Sequence, residues 1–454
     1  METYQKCLQV LKSNQSDSEK LAALMVVSKL SSSLTLDEKN VCDLFQAVTP
    51  TFLMRLIKSK ANESDDTSKM LKDVAVSIIS LFVQLIPDVV LKEELIFEEI
   101  FATISEDHHE CIDAWIDVIV SISYHDKGRS LLLDYKLLTV FRNLILQTEK
   151  QENVFTLLSN LLVKGHQPNP TVVEFILKLS KEFKITQELV KFQYVNVLDK
   201  LFSLISAKMT VDYKDDYYMK ILKNIADGCG DIMQSRVKSD QKRSVIMLIS
   251  KTLAVFGVEW IFDGKCVEKN AKFIILTLTV ISIEMACLFQ ENPHNIVLVE
   301  QKCLINSFFD ISVKVLQFLC GDAFEQHNLS NDSKFILNAF NCLKNIMKTT
   351  YENLELVNVE SVKPLDDPVL MDALSMVCVW ATEETEHLRE ELQKIIPLIV
   401  KVGTVDLEEN VRNGKPTHFL HAMSPCVAQL LPDDAMRKVL IRCKCQDLYI
   451  SYFC

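Results

Sequence analysis

The chain has 454 residues, 48% of them hydrophobic, and a formal net charge of −12 from 49 basic and 61 acidic side chains. That length exceeds the size at which one hydrophobic core keeps growing, so several domains or an extended repeat array is expected. The acidic balance argues against sequence-independent nucleic-acid binding, which needs clustered Lys and Arg, and against attraction to an anionic membrane face.

Only nine Gly and eleven Pro punctuate the chain, far fewer than a sheet-rich protein spends on tight turns, so helices with short corners are expected throughout. The first residues, METYQKCLQVLKSNQ, lack the apolar stretch of a secretory signal. Fourteen Cys without paired spacing, several inside apolar helical runs (Cys287, Cys320, Cys378), read as small buried hydrophobes in a reduced, cytosolic protein. The sequon at Asn62 then has no route to glycosylation. His108, His109, Glu110 and Cys111 are metal-capable, but neighbours on a helix point about 100° apart and cannot converge on one ion.

From His125 to Gly165 the pattern divides into three helices: Arg129 to about Asp134, Tyr135 to Leu146, and Glu149 to Lys164. Leu137, Val140, Phe141, Leu144 and Ile145 fall at helical spacing, as do Val154, Leu157, Leu158, Leu161 and Leu162. One short and two longer helices in this length resemble an armadillo repeat, whose length class is ~40–47 residues. LKNIADG (Leu222–Gly228) and ILNAFNCLKNIM (Ile336–Met347) resemble the third helices of others. One such unit cannot bury its own apolar face, so stacking is required. The expected fold is all-α, an armadillo/HEAT-like α-solenoid forming one helical-repeat domain over residues 1–454. SKANESDDTSK (Ser59–Lys69), KGHQPNP, GCGDIMQSRVKSD (Gly228–Asp240) and NGKPTH read as loops between repeats, and Arg236, Lys238, Lys242 and Arg243 as a solvated basic spot.

In armadillo arrays an Asn on the third helix can hydrogen-bond the backbone of an extended peptide in the groove. Asn160, Asn224 and Asn345 occupy comparable places and are the candidate peptide-binding residues; polar caps or hydrogen bonds between helices are the alternative for them. The Trp of the nuclear-import version, one turn earlier, is replaced here by Thr156, Lys220 and Asn341. Trp115, Trp260 and Trp380 read as core, with Trp260 at a corner.

Phe273–Phe289 is 17 residues long and carries Glu284. It falls short of the ~20 apolar residues of a membrane span, so a buried helix is expected and no transmembrane segment. Further on, Asp367 and Pro368 open a helix to about Ala381, Thr382 or Thr385 caps the next, and Glu383, Glu384 and Glu386 sit at its dipole-positive start. Pro397 falls inside that second helix. His418, His421, Cys426, Cys443, Cys445 and Cys454 lack the spacing of a zinc site. No phosphate loop, nucleophile elbow or metal-protease motif occurs, so neither catalysis nor a cofactor is expected.

Several blocks resemble the neurochondrin family in the same order: SEKLAALMVVSKL, FQAVTPTFLMRLIKSK, KLSKEFKITQELVKFQYVNVL, VFGVEWI, KFIILTLTVISIEMACLFQE and WATEETEHLREELQKIIPLIVK. The resemblance implies a cytosolic armadillo-like protein without catalytic activity, linked to neurite outgrowth and neuronal signalling. Implied partners are cytoplasmic segments of G-protein-coupled receptors and proteins of calcium/calmodulin-dependent kinase signalling. A transport or exchange factor that holds a small GTPase or a cargo peptide is the alternative. Family members begin with a Cys pair that can be acylated; here the early Cys is Cys7, so acyl anchoring is not carried over. The end at KCQDLYISYFC leaves a helix without a capping repeat, so the chain is expected to be incomplete at its C-terminus.

Overall fold

A computed structural model describes residues 2–13, 16–31, 37–58, 66–93, 96–98, 100–102, 112–134, 151–164, 167–206, 214–262, 267–291, 301–325, 328–359, 368–384, 386–413 and 418–453. It comprises two compact units, one of residues up to Leu179, the other of Ser180–Ser206 and residues from 211 on.

The first unit holds α1 (Glu2–Lys12), α2 (Asp17–Ser31), α3 (Glu38–Val48), α4 (Pro50–Ile57), α5 (Asp66–Leu85), α6 (Pro87–Val90), α7 (Ile112–Ser123), α8 (Asp126–Asp134), α9 (Gln151–Leu161) and the start of α10 (Pro170–Ile185). A two-residue antiparallel ladder pairs Val163 with Pro168 and Lys164 with Gln167. Local chemistry sets the helix ends. The Asp37 carboxylate accepts the Asn40 N–H at 2.8 Å, and Val41, Leu44, Phe45 and Val48 then form the buried stripe of α3. Phe45 meets Phe82 of α5 edge-to-face at 5.1 Å, and α5 packs on α7, which packs on α9. The short helix expected from Arg129 runs from Asp126 to Asp134 and the third from Gln151 to Leu161; the second, Tyr135–Leu146, lies outside the described residues. So do His108–Cys111, Asp367, Thr385 and Cys454.

The second unit contains the end of α10, α11 (Val190–Ser206), α12 (Asp216–Gln234), α13 (Ser239–Phe256), α14 (Glu259–Phe262), α15 (Val267–Glu291), α16 (Lys302–Cys320) and α17 (Asp322–Glu325). A 3-10 turn (Asn328–Asn331) leads to α18 (Ser333–Leu354), α19 (Pro368–Glu383), α20 (Arg389–Asn413), α21 (His418–Leu430), α22 (Asp434–Arg442) and α23 (Cys445–Phe453). Its helices form two layers. The end of α10, α12, α15, α18 and α20 pack in sequence in one; α11, α13, α16, α19 and α21 do so in the other. From α10 to α12 and from α12 to α15, interhelix hydrogen bonds join residues 44, 42 and 44 positions apart, so these successive helices run parallel at armadillo-like spacing; from α15 to α18 the offset grows to 63. The expected all-α, armadillo/HEAT-like stacking is what the chain adopts.

Trp115, Trp260 and Trp380 are at most 3% exposed, in the core as expected. Trp260 follows a corner made by Gly257, whose φ of 73° places it in the left-handed region while its N–H closes on the Leu253 carbonyl at 3.0 Å.

Tertiary packing overturns several local expectations. Residues 228–234 are not a loop: α12 runs through them to Gln234. A Cβ on Gly228 would lie 2.5 Å from the Phe183 ring, so this glycine permits close helix contact. Lys242 and Arg243 likewise belong to α13, and the end of the expected loop Ser59–Lys69 is helical, because α5 begins at Asp66. At the acidic corner, Thr382 and Glu383 finish α19, and α20 begins at Arg389 with Glu390 and Glu391 in its first turn. The Glu384 carboxylate instead accepts the N–H groups of Glu386 and His387 at 2.7 and 3.1 Å, closing the turn. Burial alone would raise its pKa, but these bonds and the His387 side chain hold it below the ordinary value. Cys287 and Cys320 face solvent, whereas Cys378 is buried.

The helix carrying Phe273–Phe289 is longer than the apolar run. Lys269–Gln290 and Lys302–Cys320 are both long and apolar enough to cross a membrane by length and composition, and 56% of each window is buried within the protein. Glu284, 6% exposed, is paired with Arg243 of α13. Interior packing of the stack accounts for the apolarity of both helices.

Candidate functional site

The three asparagines are placed differently. The Asn160 side-chain amide donates to Ser123 Oγ on α7 at 2.8 Å, and Asn224 donates to Ser180 Oγ on α10 at 3.2 Å. Both are half-buried rungs between parallel neighbouring helices, each with one N–H and the carbonyl oxygen left over among the described residues. Asn345 is exposed on α18. Asn160 belongs to the first unit and the other two to the second.

One turn beyond Asn224, Asp227 ties three helices together. Its carboxylate meets Lys184 Nζ of α10 at 2.7 Å and Lys269 Nζ of α15 at 2.5 Å. Burial pushes this carboxyl up, but the hydrogen bonds from the two ammonium groups outweigh it and hold the pKa below the usual carboxylate value of 3.8. A depressed folded pKa means stability that is complete above the ordinary value and lost as pH falls through the lowered one. Asp227→Asn is therefore expected to cost about 1–2 kcal/mol at neutral pH, discounted because both lysines are partly exposed. Below about pH 4 the difference between variant and parent should shrink. Urea denaturation at pH 7 and pH 3 checks this; an equal difference at both pH values would rule it out.

The corner 186–189, between α10 and α11, and the corner 235–238, between α12 and α13, flank a cleft of about 920 Å³. Lys191 lies in its lining and is 4% exposed; its ammonium is 3.3 Å from Asp231 Oδ2 and 5.7 Å from the Phe183 ring centre. Arg236 and Lys238 are exposed on the same lining, and Leu189, 80% exposed, stands at its edge. Nearby Cys229 is fully buried, and burial drives its thiol far above the ordinary value despite the Lys191 charge. That thiol is inert as a nucleophile at neutral pH.

Among the described residues no three His, Cys, Asp or Glu side chains gather to hold a metal. Cys378 and Cys426 touch across α19 and α21, both buried; their mutual hydrogen bond and desolvation raise the Cys378 thiol well above its usual range. Reading the sequence missed Lys191, Asp227 and Asp231. The signal available was the density of Lys in KLSKEFKITQELVKFQ beside the acidic positions of α12, but nothing local says that two segments about forty residues apart meet.

Two layers of parallel helices, with polar rungs between neighbours and clefts at their corners, define a helical-repeat protein of the armadillo/HEAT kind. The family model described as Neurochondrin matches residues 1–454. The chain belongs to the neurochondrin family. The Drosophila melanogaster neurochondrin homolog is 22% identical over 99% of this chain and 64% of its own length. Human neurochondrin is 21% identical over 99% and 63%, and chicken neurochondrin 20% identical over 96% and 62%. The chain thus spans less than two thirds of the length of these curated relatives. Among solved structures, SYS-1 aligns over 95% of this chain and 93% of its own at a TM-score of 0.36 and 10% identity. Importin beta aligns over 98% and 67% at 0.27 and 10%. Those likenesses add nothing to the packing described above.

Proposed function

We propose that the chain is a non-enzymatic scaffold of cytoplasmic signalling, acting in neuronal signalling and neurite outgrowth as its family resemblance implies. The observation that carries this reading is the match of residues 1–454 to the family. The geometry of the second unit supports it, because its helices stack in succession and polar side chains pair from one helix to the next along a layer. Such repetition suits extended protein segments better than a small substrate. The partners proposed are receptor cytoplasmic segments and proteins of calcium/calmodulin-dependent kinase signalling. Holding two of them on one chain raises their effective concentration without any catalytic step. Asn345, with the amide groups that Asn160 and Asn224 have left over, is where contacts to a peptide backbone are expected. No cofactor and no nucleic acid enters this role, and no helix is assigned to a membrane.

Affinity capture from neuronal cytosol at two salt concentrations, with the full chain as bait, tests the reading. Recovery of receptor tails or kinase-signalling proteins is the expected result. Recovery dominated by small GTPases or nuclear cargo would overturn it in favour of a transport or exchange factor.

A further inference from the structure

We propose that the cleft between corners 186–189 and 235–238 binds an acidic peptide of a partner protein, with a peptide carboxylate seated on the Lys191 ammonium. This rests on the scaffold reading and specifies the chemistry of one partner.

The argument begins with an underpaired buried charge. An ammonium carries three N–H donors, and taking it out of water is costly unless they are met. Lys191 is 4% exposed, yet among the described residues its ammonium makes one hydrogen bond, a long one of 3.3 Å to Asp231. Asp231 is itself half exposed, so this pair is partly hydrated on the acid side only. The Phe183 ring face adds a weak cation–π attraction but accepts no conventional hydrogen bond. An anionic oxygen at the cleft floor would meet the remaining donors.

The rim points the same way. Arg236 and Lys238 are exposed there, and among the described residues Arg236 has no ion pair. The carboxylates of the lining are Asp231, already engaged by Lys191, and Glu188. A cationic surplus in a chain of net charge −12 selects an acidic ligand electrostatically. Ile232, Phe192 and the outward Leu189 supply apolar contact beside these charges. A peptide that alternates acidic and apolar residues matches both features. A volume of about 920 Å³ suits a few residues of such a chain and is far too large for a lone anion. Nucleic acid would need a longer basic track than these few groups provide.

The test uses fluorescence anisotropy with the full chain and a labelled nonapeptide alternating leucine with aspartate. A second peptide carries asparagine in place of aspartate. Saturable binding of the aspartate peptide is expected, with the asparagine peptide at least about tenfold weaker. Arg236→Glu, at an exposed position where folding is not at stake, should weaken binding roughly tenfold, and Lys191→Met by as much or more. Absence of saturable binding, or equal binding by parent and Arg236→Glu, overturns the proposal. Repeating the capture from cytosol with the Arg236→Glu bait separates the two readings. If both baits recover the same signalling proteins, the scaffold stands and the cleft assignment falls. If neither bait recovers signalling proteins while the aspartate peptide still binds the parent in an Arg236-dependent way, the cleft assignment stands and the scaffold reading falls.

Discussion

Arg243→Met is expected to destabilise the second unit by about 3–5 kcal/mol, among the largest single-site effects in the molecule. Arg243 Nε reaches Glu284 Oε2 at 2.8 Å across the two layers, with side-chain exposures of 20% and 7%. Removing the guanidinium strands a carboxylate inside the stack, and that penalty exceeds the modest net worth of the pair itself. The double variant Arg243→Met with Glu284→Leu should recover most of the loss, because an apolar pair of similar volume removes the buried charge altogether. Chemical denaturation of the parent, both single variants and the double closes the cycle. If Arg243→Met lies within about 0.5 kcal/mol of the parent, water rather than the ion pair solvates Glu284 and the reasoning fails.

Phe262→Ala is expected to cost about 3–5 kcal/mol through the cavity it leaves. Phe262 sits on the four-residue α14, where propensity contributes almost nothing, so packing holds the segment in place. Its ring stacks on Phe318 at 4.3 Å and meets Phe335 and Phe324 at 6.0 and 6.4 Å. Those partners come from α16, α18 and α17, so one side chain joins four elements around a corner. Phe262→Leu should lose less, about 1–2 kcal/mol, since much of the volume stays. The urea midpoint reads both variants. A Phe262→Ala midpoint equal to the parent's would mean that the nest refills from its neighbours.

The helices themselves were legible because their signals are local. Stripes at helical spacing and Pro368 at a helix start lie within a turn or two of what they specify. Pro397 lies inside α20, where its apolar stripe had placed it. Local signals misled where a distant partner decides. Gly228 and Gly230 read as a loop, yet the Phe183 ring fills the space over Gly228 and the helix continues. Cys287 and Cys320 carry apolar neighbours in sequence but fall on the solvent side. The candidate asparagines were visible as a recurring residue in comparable contexts; that Asn160 and Asn224 bond Ser123 and Ser180 was not, since serine is common and carries no mark of pairing.

By itself the sequence determined an all-helical chain of repeat type, because helix periodicity, capping and composition are properties of neighbouring residues; its family was legible only as a resemblance, in the order of the matching blocks. Only the tertiary structure decided that Lys191 is buried beside Asp231, that Asp227 binds lysines from two other helices, and that Glu284 has a partner in Arg243. Each of these joins residues about forty positions apart. The free energy of such contacts comes from desolvation and charge pairing across stacked helices, and neither term exists until the helices meet.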